Sequence, residues 1–580
     1  MNNYTALIRE LKRFIIGEAD NERSRLHRQW SLTLNERVAS GKAIIGLNVI
    51  DILLNGDIHL RCSTNNSRFR EGDFLVLHRG TPFDQRKIQV SLNEDNETDL
   101  VVYFDGWGDI NLLIEQPTGW IADEGMLDLS DLYIEAIDEL SDSKRGRDII
   151  LPLLTNDLQP YLEFQLYENG FQKGIEASLN ESQAEALAAG YSTNLVHLIQ
   201  GPPGTGKTYV LAHLVREMVM DGLRVFVTAL THRAINNALN KIYSLDTNLP
   251  VCKIGRFERA KDLNVENYPD FLSSRFLGSN FGYAIGATPF VTRTRRLGNV
   301  DFDVVIFDEA SQVTLPLAIM GMLPAEKYIF IGDQHQLPPV TLSKSSELSK
   351  YSIFKYLCDR GYETMLTTSY RLNQELTVWP NKSFYNGQLI SDISAANRRF
   401  KFSNENSKWK EVLSATHSMV FIDLGHRKTT TMSPEEATIA CEIICEILDS
   451  GISSNEIGVV VPYRSQARLI KNKIRKRVNS TDNLKNLVID TVERMQGQER
   501  EIILVSLTTS SAGFASDLAE FFFQPQRLNV SVTRQRTKLI ILGSRNVLGA
   551  TCDDPQIQKS IDLFNDLIST CKHIELDNKH

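Results

Sequence analysis

Hydrophobic and polar positions along the chain change their rhythm several times. Near the start, Leu7, Leu11, Phe14 and Ile15 recur at i, i+4, i+7 and i+8, which predicts a helix over residues 1–30. Over 31–115 the runs AIIGLNVIDILL, DIHLRC, DFLVLH, KIQVSL and DLVVYF are separated by Asn, Gly and Asp clusters, the pattern of a small antiparallel barrel or sandwich. Residues 116–177 turn helical again, with acidic positions on one side, and are expected to form a helical stalk or linker. From 178 the apolar runs NLVHLIQ, RVFVTAL, VVIFDEA and KYIFIGD are each followed by turn residues and a helical stretch. Such alternation predicts a parallel sheet with helices on both faces. A second unit of the same kind carries SMVFIDL, IGVVVPY, EIILVSL and KLIILG. The expected division is therefore 178–364 and 365–550 for the two α/β units, with 551–580 as a C-terminal tail. There is no repeat at solenoid period and no low-complexity segment.

Composition narrows this picture only slightly. A net charge of −9 argues against a protein that coats nucleic acid nonspecifically. It leaves open one that grips a few phosphates inside a cleft, where local charge decides. No apolar run approaches the ~18 residues of a membrane span, and the first twenty residues lack the apolar core of a signal peptide. The expected setting is intracellular, in the cytoplasm, with no membrane partner. Of seven cysteines, none shows C-x-x-C spacing, and Cys441 and Cys445 read as small core residues on one helix face. No zinc site, iron–sulfur cluster or disulfide framework is expected. The basic run at 471–477 could be a nucleic-acid contact or a localisation signal, but reads first as a solvated helix face.

The strongest chemical signal is Gly201-Pro202-Pro203-Gly204-Thr205-Gly206-Lys207-Thr208, placed after the strand LVHLIQ and opening the helix YVLAHLVREM. This is the G-x-x-x-x-G-K-T phosphate loop in the context it needs. Glycines let backbone N–H groups turn inward around phosphate oxygens, the helix N-terminus adds positive potential, Lys207 meets the β and γ phosphates, and Thr208 offers a hydroxyl to Mg²⁺. The strand VVIFDEA then delivers Asp308 and Glu309 at its C-terminal end, where an open α/β sheet puts ligand chemistry. Asp308 is expected on Mg²⁺, and Glu309 is expected to orient and deprotonate the attacking water. A third strand ends in GDQHQLPP, whose Gln336 could sense the γ-phosphate. Transfer of that phosphate also needs cations aimed at it, and Arg371 in SYRLN and Arg534 in LNVSVTRQR are the candidates. The expected cofactors are ATP and Mg²⁺.

Taken in order, LNESQ, the phosphate loop, DEAS, GDQHQLPP, SYRLN, VVPYRSQ, TVERMQGQE and LNVSVTRQR closely resemble superfamily 1B helicases. The branch is that of the RNA helicase of nonsense-mediated decay, its immunoglobulin-switch-region-binding relative and the nuclease-helicase of Okazaki-fragment processing. The match covers roughly residues 178–548, with a weaker likeness of 1–165 to that branch's barrel on a helical stalk. The resemblance implies two RecA-like P-loop domains in tandem, an α/β fold. It also implies an ATP-dependent motor moving 5′→3′ on single-stranded DNA or RNA. By the same resemblance Gln183 reads adenine and Tyr370 stacks on it, while Gln336, Arg371 and Arg534 contact the γ-phosphate. Gly497 and Glu499 link nucleotide to track, and Thr231, Pro462, Tyr463 and Thr491 touch the strand's backbone. The chain departs from the pattern at Gln535, where relatives usually carry alanine, and in a short 256–280 segment. It also lacks the decay helicase's Cys/His-rich domain and a cysteine-bounded nuclease module. The alternative from another class is an ATP-gated switch that binds nucleic acid or protein and hydrolyses ATP without unwinding. A P-loop kinase or GTPase fits poorly, since no N-K-x-D follows the loop.

Overall fold

The computed structural model describes residues 3–53, 56–65, 67–96, 98–260, 262–342, 346–478, 484 and 486–575. The ends of the expected first helix and of the C-terminal tail, residues 1–2 and 576–580, lie outside the described residues, as does residue 54 of the first barrel run.

A long helix, Asn3–Trp30, leads through a short one, Leu34–Ala39, into six strands. These are β1 (Ala43–Ile52), β2 (Asp57–Arg61), β3 (Phe74–His78), β4 (Ile88–Asn96), β5 (Asp99–Trp107) and β6 (Trp120–Glu124). They close into an antiparallel barrel in the order β1-β2-β5-β4-β3-β6. Alternate residues point inward, so Leu47, Ile58, Leu60, Leu75, Leu77, Val90, Val102 and Ala122 fill one core. The expected range of 31–115 stops short of β6, the strand that pairs with both β1 and β3 and closes the barrel. With four of its five residues buried in a row, the strand leaves no alternation to read from sequence.

Beyond the barrel the helix Ser130–Asp142 returns along Asn3–Trp30. Leu7, Leu11, Phe14 and Ile15 pack with Ala136, Ile137 and Leu140, and that cluster is continuous with Leu315, Leu317 and Ala318 of the first α/β lobe. The barrel is thus carried on a stalk rooted in that lobe's core.

The first lobe contains β7 (Val196–Gln200), β8 (Arg224–Thr228), β9 (Val251–Ile254), β10 (Glu266–Tyr268), β11 (Tyr283–Gly286), β12 (Val304–Phe307), β13 (Lys327–Gly332) and β14 (Glu363–Met365). All pair in parallel, in the order β10-β9-β11-β8-β12-β13-β7-β14. A two-strand pair, β15 (Thr368–Ser369) with β16 (Ile390–Ser391), stands at the passage between the lobes. The second sheet is also parallel. It comprises β17 (Met419–Asp423), β18 (Ile457–Val461), β19 (Val488–Thr491), β20 (Arg500–Ser506), β21 (Gln535–Gly543) and β22 (Lys572–Glu575), in the order β19-β18-β20-β21-β17-β22. The segment after 550, expected as a tail, belongs to this lobe. Helix Pro555–Thr570 buries Ile561, Phe564, Leu567 and Ile568 in the lobe's core, and β22 adds an edge strand beside β17. A last strand with only Ile574 buried carries little apolar signal, which is why the sequence hides it.

Candidate nucleotide site and nucleic-acid interface

The loop between β7 and helix Lys207–Met220 is shaped by its glycines. Gly204 and Gly206 sit at φ +76° and +86°, a region that side chains rarely adopt. A Cβ on Gly204 would lie 2.4 Å from the Cβ of Arg371, and one on Gly206 would lie 2.8 Å from the amide nitrogen of Gln183. The loop is therefore pressed between two residues that sequence alone placed in separate motifs. Ser369 donates to the Pro203 carbonyl at 2.8 Å, and the Tyr370 N–H donates to the Gly204 carbonyl at 2.8 Å. On the same side, Gln183 donates to the Thr205 carbonyl at 3.0 Å, and Asn180 donates to the Tyr370 hydroxyl at 2.8 Å. Gln183 and Tyr370 thus flank the loop together, with Tyr370 partly exposed.

Lys207 donates to the Gly201 carbonyl at the loop's base. Burial pushes its pKa down, Glu309 and Asp333 pull it up, and Arg534 and Arg371 push it down. Both arginines, although they follow β14 in the chain and Arg534 belongs to the second lobe, therefore lie within electrostatic reach of the phosphate-loop lysine. Arg534 is buried and donates to the Gln336 side-chain oxygen at 3.1 Å. Gln336 in turn donates to Asp333 at 2.9 Å. Burial first, then the neighbouring Arg371, pushes Arg534 below the ordinary arginine range. Arg371 donates to Glu499 at 2.8 Å and to the Thr533 carbonyl at 3.0 Å. Glu499 thus holds a guanidinium at the seam, where the resemblance had it linking nucleotide to track. Gly497, nearby at φ +71°, is exposed at a turn.

Asp308 and Glu309 follow β12. Asp308 is buried and accepts the Glu309 N–H at 2.9 Å; burial and then the Glu309 charge push its pKa up to about 7. Glu309 adopts φ +50°, a strained value for a residue with a side chain, and its carboxylate accepts from Gln496 of the second lobe at 3.3 Å. The hydroxyl of Thr208 and the carboxylate of Asp308 are hard oxygen donors of the kind Mg²⁺ takes, so this donor set fits that ion.

Tyr385 lies outside every motif, and motif reading gave no role to Asn529. Tyr385 donates to Asp333 at 2.8 Å, and Asn529 donates to the Tyr385 hydroxyl and to the His335 carbonyl, both at 2.9 Å. This chain of bonds ties the GDQHQ loop of one lobe to the helix that precedes Arg534 in the other. Gln535 is buried and donates to the Val532 carbonyl at 2.7 Å, closing the end of helix Pro525–Ser531 beside Arg534.

The four expected strand contacts lie away from this cluster. Thr231 caps helix His232–Leu245, accepting the Ala234 N–H at 3.2 Å. Pro462 and Tyr463 follow β18, and Thr491 ends the neighbouring β19. Tyr463 stacks on Phe521 with ring centroids 6.0 Å apart, and Arg527 lies 4.0 Å from the Phe521 centroid. Arg233, two residues past Thr231, shares a cavity of about 660 Å³ with Asp490, Arg494 and Arg500 of the second lobe. The barrel reaches the same place. Arg70 donates to the Thr491 hydroxyl at 3.4 Å, Arg464 donates to the Arg68 carbonyl, and Arg468 donates to the Ser67 carbonyl at 2.9 Å. Burial, and then neighbouring positive charge for Arg70 and Arg468, pushes these arginines down. Lys471, from the run expected as a solvated face, is pushed down mainly by burial. Arg70 and Arg468 lie outside every motif, and Arg464, within VVPYRSQ, was given no role there, because contacts from a separate domain leave no local pattern.

A phosphate loop facing paired arginines across a seam between two parallel sheets defines the class: a P-loop protein of two α/β lobes in tandem. Comparison with known proteins agrees. Two AAA domain models match, over residues 178–352 and 349–546. The chain is 28% identical over 462 residues to the DNA replication ATP-dependent helicase/nuclease DNA2 of Saccharomyces cerevisiae, covering 73% of this chain and 29% of that protein. An uncharacterized ATP-dependent helicase of Methanocaldococcus jannaschii is 25% identical, covering 78% of this chain and 79% of that one. The regulator of nonsense transcripts 1 of Dictyostelium discoideum is 28% identical, covering 71% and 33% respectively. The chain spans under a third of the length of the helicase/nuclease relatives it matches in yeasts and Arabidopsis thaliana. These likenesses support a superfamily 1B helicase of the branch of the helicase/nucleases and the nonsense-transcript regulators.

Proposed function

We propose that this chain is an ATP-driven motor that moves along single-stranded DNA or RNA and displaces what is bound to it. The observation that carries this reading is the convergence of Arg371 and Arg534 on the phosphate loop at Lys207. A triphosphate at that seam has its β and γ charge met by Lys207 from one lobe and by the arginines at the other wall. Lobe closure and nucleotide binding then favour each other, and loss of the γ-phosphate removes the reason to stay closed. Gln183 and Tyr370 hold the adenine, Thr208 and Asp308 hold Mg²⁺, which supplies charge neutralisation at the phosphates, and Glu309 takes the proton of the attacking water. Gln336, bonded to Arg534, senses the γ-phosphate, and the Gly497–Glu499 turn passes that state on through Arg371. Thr231, Pro462, Tyr463 and Thr491 hold the strand's backbone, with Arg70, Arg464 and Arg468 supplying charge beside them. Movement is 5′→3′, as the resemblance implies. We place the protein in the cytoplasm, where its seven cysteines stay thiols; among the described residues no helix is long and apolar enough to cross a membrane.

The test is strand displacement on 5′-tailed and 3′-tailed duplexes, in DNA and RNA versions, with Lys207→Ala as control. Displacement of the 5′-tailed substrate that vanishes in the variant supports the motor. Hydrolysis that is stimulated by nucleic acid but displaces nothing at any tail would instead make the chain an ATP-gated clamp.

A further inference from the structure

At the end of the barrel remote from the Thr491 contact, two indole rings flank one ammonium and a third aromatic ring packs beside them. Lys87 Nζ lies 4.9 Å from the Trp30 ring centroid and 5.7 Å from that of Trp107, and donates to the Pro82 carbonyl. Phe83 meets Trp30 edge to face at 5.4 Å and His27 at 5.5 Å. Trp30 is anchored by its indole N–H on the Glu124 carbonyl at 2.9 Å. Yet Trp107 is 50% exposed and Phe83 43%.

The fold is arranged to keep them there. Trp107 lies between Gly106 at φ +85° and Gly108 at φ +102°. A Cβ on Gly108 would sit 2.6 Å from the Lys87 carbonyl oxygen and 2.9 Å from Ile88 Cα. Only glycine lets the end of β5 come close enough to the start of β4 to lay Trp107 against Lys87. Large rings left half in water, at the open end of the β4–β5 pair, gain nothing for the barrel's core, which is complete without them. Positive charge accompanies them: besides Lys87, Arg79 and the largely exposed Arg86 stand on the same connection, with Asp84 3.8 Å from Arg86. Rings that offer faces, with cations between them, match a single strand whose bases stack while its phosphates need neutralising. The placement fits too. The connection that bears Arg68 and Arg70 precedes β3 and the one that bears Phe83 and Lys87 follows it, so the two sites stand one five-residue strand apart, about 17 Å.

We propose that Trp107, Phe83 and Lys87 form a second nucleic-acid site, a stacking platform for unpaired bases of the strand that the two lobes hold. This rests on the nucleic-acid reading above. The test is fluorescence anisotropy of the full chain with labelled oligothymidylate and oligouridylate, one short enough to fill the interlobe track alone and one long (about 8 against about 30 nucleotides). The double variant Trp107→Ala with Phe83→Ala is expected to lose roughly tenfold in affinity for the long oligonucleotides and nothing for the short ones, with an unchanged melting temperature. Trp107→Phe, which keeps a ring, is expected to retain most of the long-oligonucleotide affinity. Equal long-oligonucleotide affinity in the wild type and the double variant overturns the platform and leaves the patch as a protein-docking surface. An equal loss on short and long oligonucleotides overturns it as a separate site. A wild type that binds neither length overturns the nucleic-acid reading itself.

Discussion

The seam between the two lobes and the seam between barrel and second lobe are built from the same residue types and differ in charge balance. At the first, Lys207, Arg371 and Arg534 stand among Asp308, Glu309, Asp333 and Glu499, and every arginine has a named acceptor. At the second, Arg70, Arg464, Arg468, Lys471 and Arg494 face Asp73, Asp490 and Asp95. A balanced cluster fixes geometry for a reaction. An excess of cations costs mutual repulsion that a polyanion relieves, which suits a grip that must be made and released repeatedly.

Breaking the balanced seam is expected to have the largest effect. Arg534→Ala should lower ATP turnover by about 10³-fold or more while shifting ATP affinity far less, measured by steady-state hydrolysis and nucleotide binding; an unchanged rate places the finger elsewhere. Next comes pH. Asp308 titrates at about 7, raised by burial and by Glu309, and a metal ligand must be deprotonated. The carboxylate is therefore available above that pH and lost below it. Mg²⁺ affinity in the presence of ATP should fall as pH drops through 7, approaching roughly tenfold per unit. Glu309→Gln removes the neighbouring charge and should move the midpoint to lower pH; a flat profile from pH 6 to 8 would contradict the assignment.

At the cationic seam effects should be smaller and of another kind. Arg70→Ala with Arg464→Ala should weaken strand binding several-fold and flatten the salt dependence by about 0.7 in log–log slope for each phosphate left without its cation, with ATP turnover at saturating strand little changed. Identical salt slopes for variant and wild type would remove these arginines from the grip. The smallest effect is expected at Gln535→Ala, which exchanges one hydrogen bond to Val532 for the alanine common in relatives. Unfolding free energy should move by about 1 kcal/mol or less and turnover by under about twofold. A large loss of turnover would show that the amide holds Arg534 in place.

What the sequence determined by itself follows from locality. Each of the eight apolar runs read in the α/β units is a strand, because a buried parallel strand needs an unbroken apolar segment and its turn must follow at once. The phosphate loop and the acid pair were legible for the same reason: their chemistry requires neighbours in the chain. Strands whose partners supply their burial escaped, among them β6, β19 and β22, as did the helix at 555–570 that completes the second lobe. The meeting of Arg371 with Gly204, the Asp333–Tyr385–Asn529 chain and the docking of Arg70 on Thr491 were decided only by tertiary structure. They join residues up to 421 positions apart, and a contact between distant segments is fixed by how sheets and stalk pack, a quantity that no local spacing encodes.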